Sequence, residues 1–90
     1  MRAIWKYPMP LSDGARHGFD MPVAARVLHV HEQGGIPTLW ALVDDLDGTP
    51  IERRKFRIVG TGHGDVEATD VYVGSAHCGA FVWHVFEVYG

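Results

Sequence analysis

Between Arg53 and Gly64 the chain reads Arg53-Arg54-Lys55-Phe56-Arg57-Ile58-Val59-Gly60-Thr61-Gly62-His63-Gly64, a run rich in the residue types that hold anions. If its first half is a strand, alternation puts Arg53, Lys55 and Arg57 on one face, three cations pointing the same way. The glycine-rich half adds free backbone N–H groups around Gly62, the Thr61 hydroxyl and the His63 ring. Successive N–H groups in such loops form concavities for phosphate oxygens, and arginine meets phosphate with paired hydrogen bonds. Arg53, Lys55, Arg57, Thr61, Gly62 and His63 are therefore the candidate ligand-binding residues, and a small nucleotide-like anion is the ligand they suit. The run has neither the Gly-Lys-Ser/Thr ending of a P-loop nor a G-x-G-x-x-G fingerprint. A solvated basic strand face followed by an ordinary glycine turn has the same pattern.

The histidines offer a second chemistry. His29 and His31 place two imidazoles on one strand face, a spacing that zinc and iron sites on β-scaffolds use. His77, Cys78 and His84 would be the further ligands, with Glu32 and Glu87 as carboxylates. No H-E-x-x-H or paired C-x-x-C gathers them, so no metal and no cofactor is expected. Nucleophilic chemistry has less support. Cys78 follows His77 directly, in what reads as the turn before the last strand, and neighbours on a strand point apart. Ser12 and Ser75 lack a nucleophile-elbow context. Asp44, Asp45 and Asp47 read as turn formers. No catalytic residue is assigned and no enzyme is expected. Trp5, Trp40 and Trp83 read as core, although an exposed one would stack on a nucleobase.

The elements that position these residues follow from period-2 patterning. Strands are expected over residues 2–7, 23–32, 36–43, 51–59, 71–73 and 80–89. Leu28 and Val30 are assigned to one face, with Val27, His29 and His31 on the other. Gln33-Gly34-Gly35 marks a hairpin, residues 44–50 an acidic turn, and 11–22 the longest loop. No window shows helical spacing with caps, although residues 62–69 have room for one turn. Six short strands imply a mainly β fold, a small antiparallel β-sandwich or partly open β-barrel, as a single β domain over residues 1–90.

Composition sets the outer limits. Hydrophobic residues make up 47% of the 90, enough for one core, and the net charge of −3 does not suit extended nucleic acid. Cys78 is the single cysteine, so no internal disulfide forms, which fits a reducing compartment. No signal-length or membrane-length apolar run occurs, so a cytoplasmic protein that does not enter membranes is expected. The last strand is apolar on both faces, with Phe81, Trp83 and Val85 opposite Val82, Phe86 and Val88. A second copy of the chain would cover the spare face, giving a homo-oligomer; the first strand or the 8–22 loop would serve equally.

Several motifs together carry a resemblance. They are Ile4-Trp5-Lys6-Tyr7-Pro8, Leu28-His29-Val30 followed by Gly35-Ile36-Pro37, and Leu39-Trp40-Ala41-Leu42-Val43-Asp44. The strand end at residues 56–60, Thr61-Gly62-His63 and Phe81-Val82-Trp83-His84-Val85-Phe86-Glu87 complete the set. Over nearly its whole length the chain resembles a family of small phage- and prophage-encoded proteins of unknown function. The resemblance implies a phage protein acting in the bacterial host cytoplasm. Three roles fit that setting. One is a counter-defence sponge that sequesters a nucleotide-derived immune signal. The second is a protein–protein interaction module or inhibitor of a host protein, working by β-augmentation or its apolar last strand. The third is a metal-dependent enzyme on the histidines.

Overall fold

The computed structural model describes residues 1–44 and 48–89; Asp45, Leu46 and Asp47 of the acidic turn lie outside them. Among the described residues there are seven strands: β1 (Arg2–Pro8), β2 (Arg16–Pro22), β3 (Arg26–Gln33), β4 (Ile36–Asp44), β5 (Ile51–Gly60), β6 (Val71–Cys78) and β7 (Phe81–Glu87). They form two antiparallel sheets, β1-β4-β3 and β2-β5-β7-β6, not closed into a barrel. Of the two architectures expected, the fold is the small β-sandwich.

Local chemistry fixes the hairpins. Gly34 and Gly35 both take positive φ, 59° and 81°, in the two-residue loop that pairs Gln33 with Ile36. Such loops twist with their strands, and a side chain at either position would be strained. Gly79 (φ 63°) opens the equally tight β6–β7 loop, where Cys78 pairs with Phe81. Cys78 thus ends β6, and the turn itself is Gly79-Ala80.

The core lies between the sheets. Alternation sends Leu39, Ala41 and Val43 of β4 inward against Met21, Phe56 and Val85, all essentially inaccessible. Tyr7, Phe19 and Phe56 make an aromatic row across the gap, with ring centroids 5.2 and 6.0 Å apart. Offset and tilted aromatic pairs of this kind add roughly 0.5–1.5 kcal/mol beyond area burial. At the rim of this row, Arg54 grips Glu87 with two bonds, Nε–Oε2 at 2.7 Å and Nη2–Oε1 at 2.8 Å, and also donates to the Ala25 carbonyl.

Three expectations need correction. The segment 11–22 is not one loop: Leu11–Asp13 is a 3-10 turn and β2 follows, so there are seven strands and not six. Gly18 and the flanking polar residues hide a strand whose His17, Phe19 and Met21 turn inward. Second, a bulge between Val27 and His29 leaves Leu28 as an extra, exposed residue. Val27 therefore joins Val30 on the core side, opposite the histidines, because a bulge shifts the side-chain alternation by one. Third, residues 62–69 form no helical turn, and β6 runs to Cys78, well past Val73. Among the described residues no helix is long and apolar enough to cross a membrane.

Candidate functional site

On β5 Phe56 and Ile58 enter the core, and alternation gives Arg53, Lys55 and Arg57 the outer face of the four-stranded sheet. Their cross-strand partners on β2 are Asp20, Gly18 and Arg16 respectively. Gly18 has a positional reason. Its missing Cβ would lie 2.7–2.9 Å from the Arg53 guanidinium, which rests across it on the way to Asp20 at 3.3 Å. Both members of that pair are well exposed, so the contact is weak and readily exchanged. Arg16 and Lys55 have no carboxylate within ion-pairing distance among the described residues.

Arg57 behaves differently. Residues 61–70 fold back over the end of β5, and Arg57 donates beneath them to the Asp65 carbonyl and pairs with Asp70 at 3.2 Å. Only 4% of Arg57 is accessible, and the Asp70 side chain is fully buried. Its charge is spent inside the protein, anchoring the loop. The six residues assigned from sequence therefore separate. Arg57 and His63 line a groove of about 340 Å³ with Arg16, Gly60, Asp65 and Trp83. Arg53 and Lys55 line a smaller depression of about 180 Å³ with Arg16, Gly18 and Val88. Arg16 borders both. The turn-like residues around Gly18 hide it in the sequence; the inward alternation of His17, Phe19 and Met21 is the signal that reveals β2 and, with it, Arg16.

Thr61 and Gly62 line neither depression. Gly62 makes the turn, at φ 84°. Thr61 closes a row of hydrogen bonds on the outer sheet face: Tyr72 Oη to Ser75 Oγ at 2.6 Å, Ser75 Oγ to His84 Nδ1 at 2.8 Å, and His84 Nε2 to Thr61 Oγ1 at 2.8 Å. One ordering of protons satisfies them all. Tyr72 donates to Ser75, Ser75 to Nδ1, the Nε2–H to Thr61, and Thr61 to the Val82 carbonyl at 3.4 Å. That ordering assigns His84 the Nε2–H tautomer from the network. His63 packs edge-on to Trp83, with centroids 6.3 Å apart.

The histidine pair is real but isolated. His29 and His31 sit on the outer face of the three-stranded sheet, whereas His77 and His84 face out from the other sheet. The nearby carboxylates are otherwise engaged: Glu32 accepts from the Gly35 N–H at 2.6 Å, and Glu87 holds Arg54. Among the described residues no three His, Cys, Asp or Glu side chains converge as metal ligands. Burial and, less strongly, the charge of Glu32 push the Cys78 thiol above its ordinary pKa, which keeps it protonated and a poor nucleophile.

What the outer face of the four-stranded sheet can do chemically is hold an anion: exposed guanidinium and ammonium groups surround a glycine-floored depression. The row from Tyr72 to Thr61 is internally satisfied and ties the loop to the sheet. Comparison with curated proteins and with solved structures finds no match. A family model does match, over residues 1–90, and the chain accordingly belongs to the family described as a domain of unknown function (DUF7352).

Proposed function

We propose that this protein is a non-enzymatic binder of a small phosphate-bearing anion, nucleotide-like in size, held on the outer face of the four-stranded sheet by Arg16, Arg53 and Lys55. The observation that carries this reading is the local excess of positive charge. In a chain of net charge −3, Arg16 and Lys55 flank Gly18 without an ion-pairing carboxylate, and Arg53 has only the exposed Asp20. A phosphate displaces that weak pair and gains bidentate hydrogen bonds from arginine. Arg57, assigned from sequence as a ligand residue, supports the site indirectly by fixing the loop beside it. The self-satisfied hydroxyl–imidazole row supports binding over catalysis. In the phage setting that the resemblance implies, such a binder acts as a sponge that sequesters a nucleotide-derived immune signal.

The test is a thermal-shift screen of the purified protein against linear and cyclic nucleotides and ADP-ribose derivatives. A ligand at about 100 times its Kd adds about 2.7 kcal/mol, several degrees for a domain of this size. The shift should vanish in Lys55→Glu and Arg16→Glu while the unliganded melting temperature stays within a few degrees. Ligand recovered unaltered fits a sponge; ligand recovered hydrolysed overturns the non-enzymatic reading. A flat screen sinks the proposal for the compounds tested and shifts attention to a protein partner.

A further inference from the structure

The opposite sheet carries an independent feature. His29 and His31 lie side by side on edge strand β3, with ring centroids 5.5 Å apart and planes within 20° of parallel. Both are exposed. Unlike His17, which bonds through Nε2, and His84, which bonds through both ring nitrogens, neither has a hydrogen-bond partner among the described residues. The Trp40 ring stands 6.1 Å from His29 and walls one side.

We propose that this pair is half of a tetrahedral zinc site, completed by His29 and His31 of a second copy of the chain. Zinc takes four ligands in a structural site, imidazole nitrogens among them at about 2.0–2.1 Å, and imidazoles two apart on a strand point the same way to one ion. This chain supplies two ligands and cannot supply the rest. Cys78 is buried between the sheets, Glu32 is turned back onto Gly35, and no third ligand joins the pair among the described residues. A twofold axis through the ion supplies the missing two, and such an isologous contact closes on itself. The surroundings suit a second copy. Ile4, 60% exposed, pairs with the half-buried Leu42 across β1 and β4 on the same outer face, and Lys6, which pairs with Trp40, is held by Gln33 at 2.9 Å.

Calorimetric titration with zinc alone, on untagged protein, combined with sedimentation velocity tests this. The expected result is one zinc per two chains, a zinc-dependent doubling of mass, and reversal by a chelator. His29→Gln with His31→Gln should abolish both effects, and His31→Asn alone should weaken uptake at least tenfold if the double variant folds poorly. Lys55→Glu, on the other sheet, should leave both effects intact and so separates this site from the anion site. No uptake, uptake unchanged in the folded histidine variants, or one zinc per chain without a change in mass would each overturn the proposal.

Discussion

A guanidinium and a carboxylate buried together must satisfy each other, and Arg57 and Asp70 do so only in part, since Arg57 Nε and Asp70 Oδ1 have no hydrogen-bond partner among the described residues. Removing one member strands the other. Asp70→Ala should therefore cost about 3 kcal/mol, a fall of roughly 12–24 °C in Tm, whereas Arg57→Met with Asp70→Leu should recover most of the loss in a melting experiment. Glu87 responds to pH instead. Burial works to raise its pKa, but the hydrogen bonds from Arg54 and Tyr89 and the Arg54 charge outweigh it and hold the carboxyl below its ordinary value. A carboxyl depressed in the folded state binds protons more readily once unfolded, so its stabilisation is present above the ordinary carboxylate pKa and is lost as pH falls through the lower, folded value. Melting temperatures recorded from pH 7 into acid should drop on that limb, and Glu87→Gln should flatten the drop. The shared face of Arg53, Lys55 and Arg57 was legible from period-2 spacing alone. The burial of Arg57 was not, because its partners Asp65 and Asp70 lie along an aperiodic stretch whose path no local pattern fixes.

Strands β3 and β6 meet across the sandwich at Gly74, where an added Cβ would lie 2.9 Å from Cβ and Cγ2 of Val30. Val30 is buried and backed by Leu39, its cross-strand partner, so it has little room to retreat. Gly74→Ala should cost about 1–3 kcal/mol as overpacking, measured by urea unfolding. A cost near zero would show that the close approach does not set the sheet spacing. Hairpins and strands with clean alternation, β4 and β5 above all, were readable because a loop of two glycines and a one-sided core leave few alternatives. Two features were not. Mid-strand Gly18 reads as a breaker until Arg53 is seen lying across it. The bulge at Leu28 reverses the inside–outside assignment of Val27, because one extra residue inverts a period of two.

The two sheets give the molecule two unlike outer surfaces, one with Arg16, Arg53 and Lys55 around Gly18 and one with the histidines, Trp40 and Ile4 beside Lys6 and Arg26. The fold class followed from composition and strand count, but the pairing of strands across sheets rests on long-range contacts that no window of sequence contains. Charge on the first surface is exposed and therefore screened. Affinity for a phosphate-bearing ligand should fall steeply between about 0.05 and 0.5 M salt, as the Debye length shrinks from above 10 Å toward a few ångströms. The melting temperature of the free protein, set by its apolar core, should move little over the same range. Salt-insensitive binding would place the ligand elsewhere. The distribution of indoles has a further consequence. Trp40 stands beside His29, and Trp83 lines the groove that Arg16 shares with the depression around Lys55. Each site thus has an indole beside it, so in a Trp5→Phe background, which removes the third indole, Trp40→Phe and Trp83→Phe variants let emission distinguish occupancy of one site from the other without any dye.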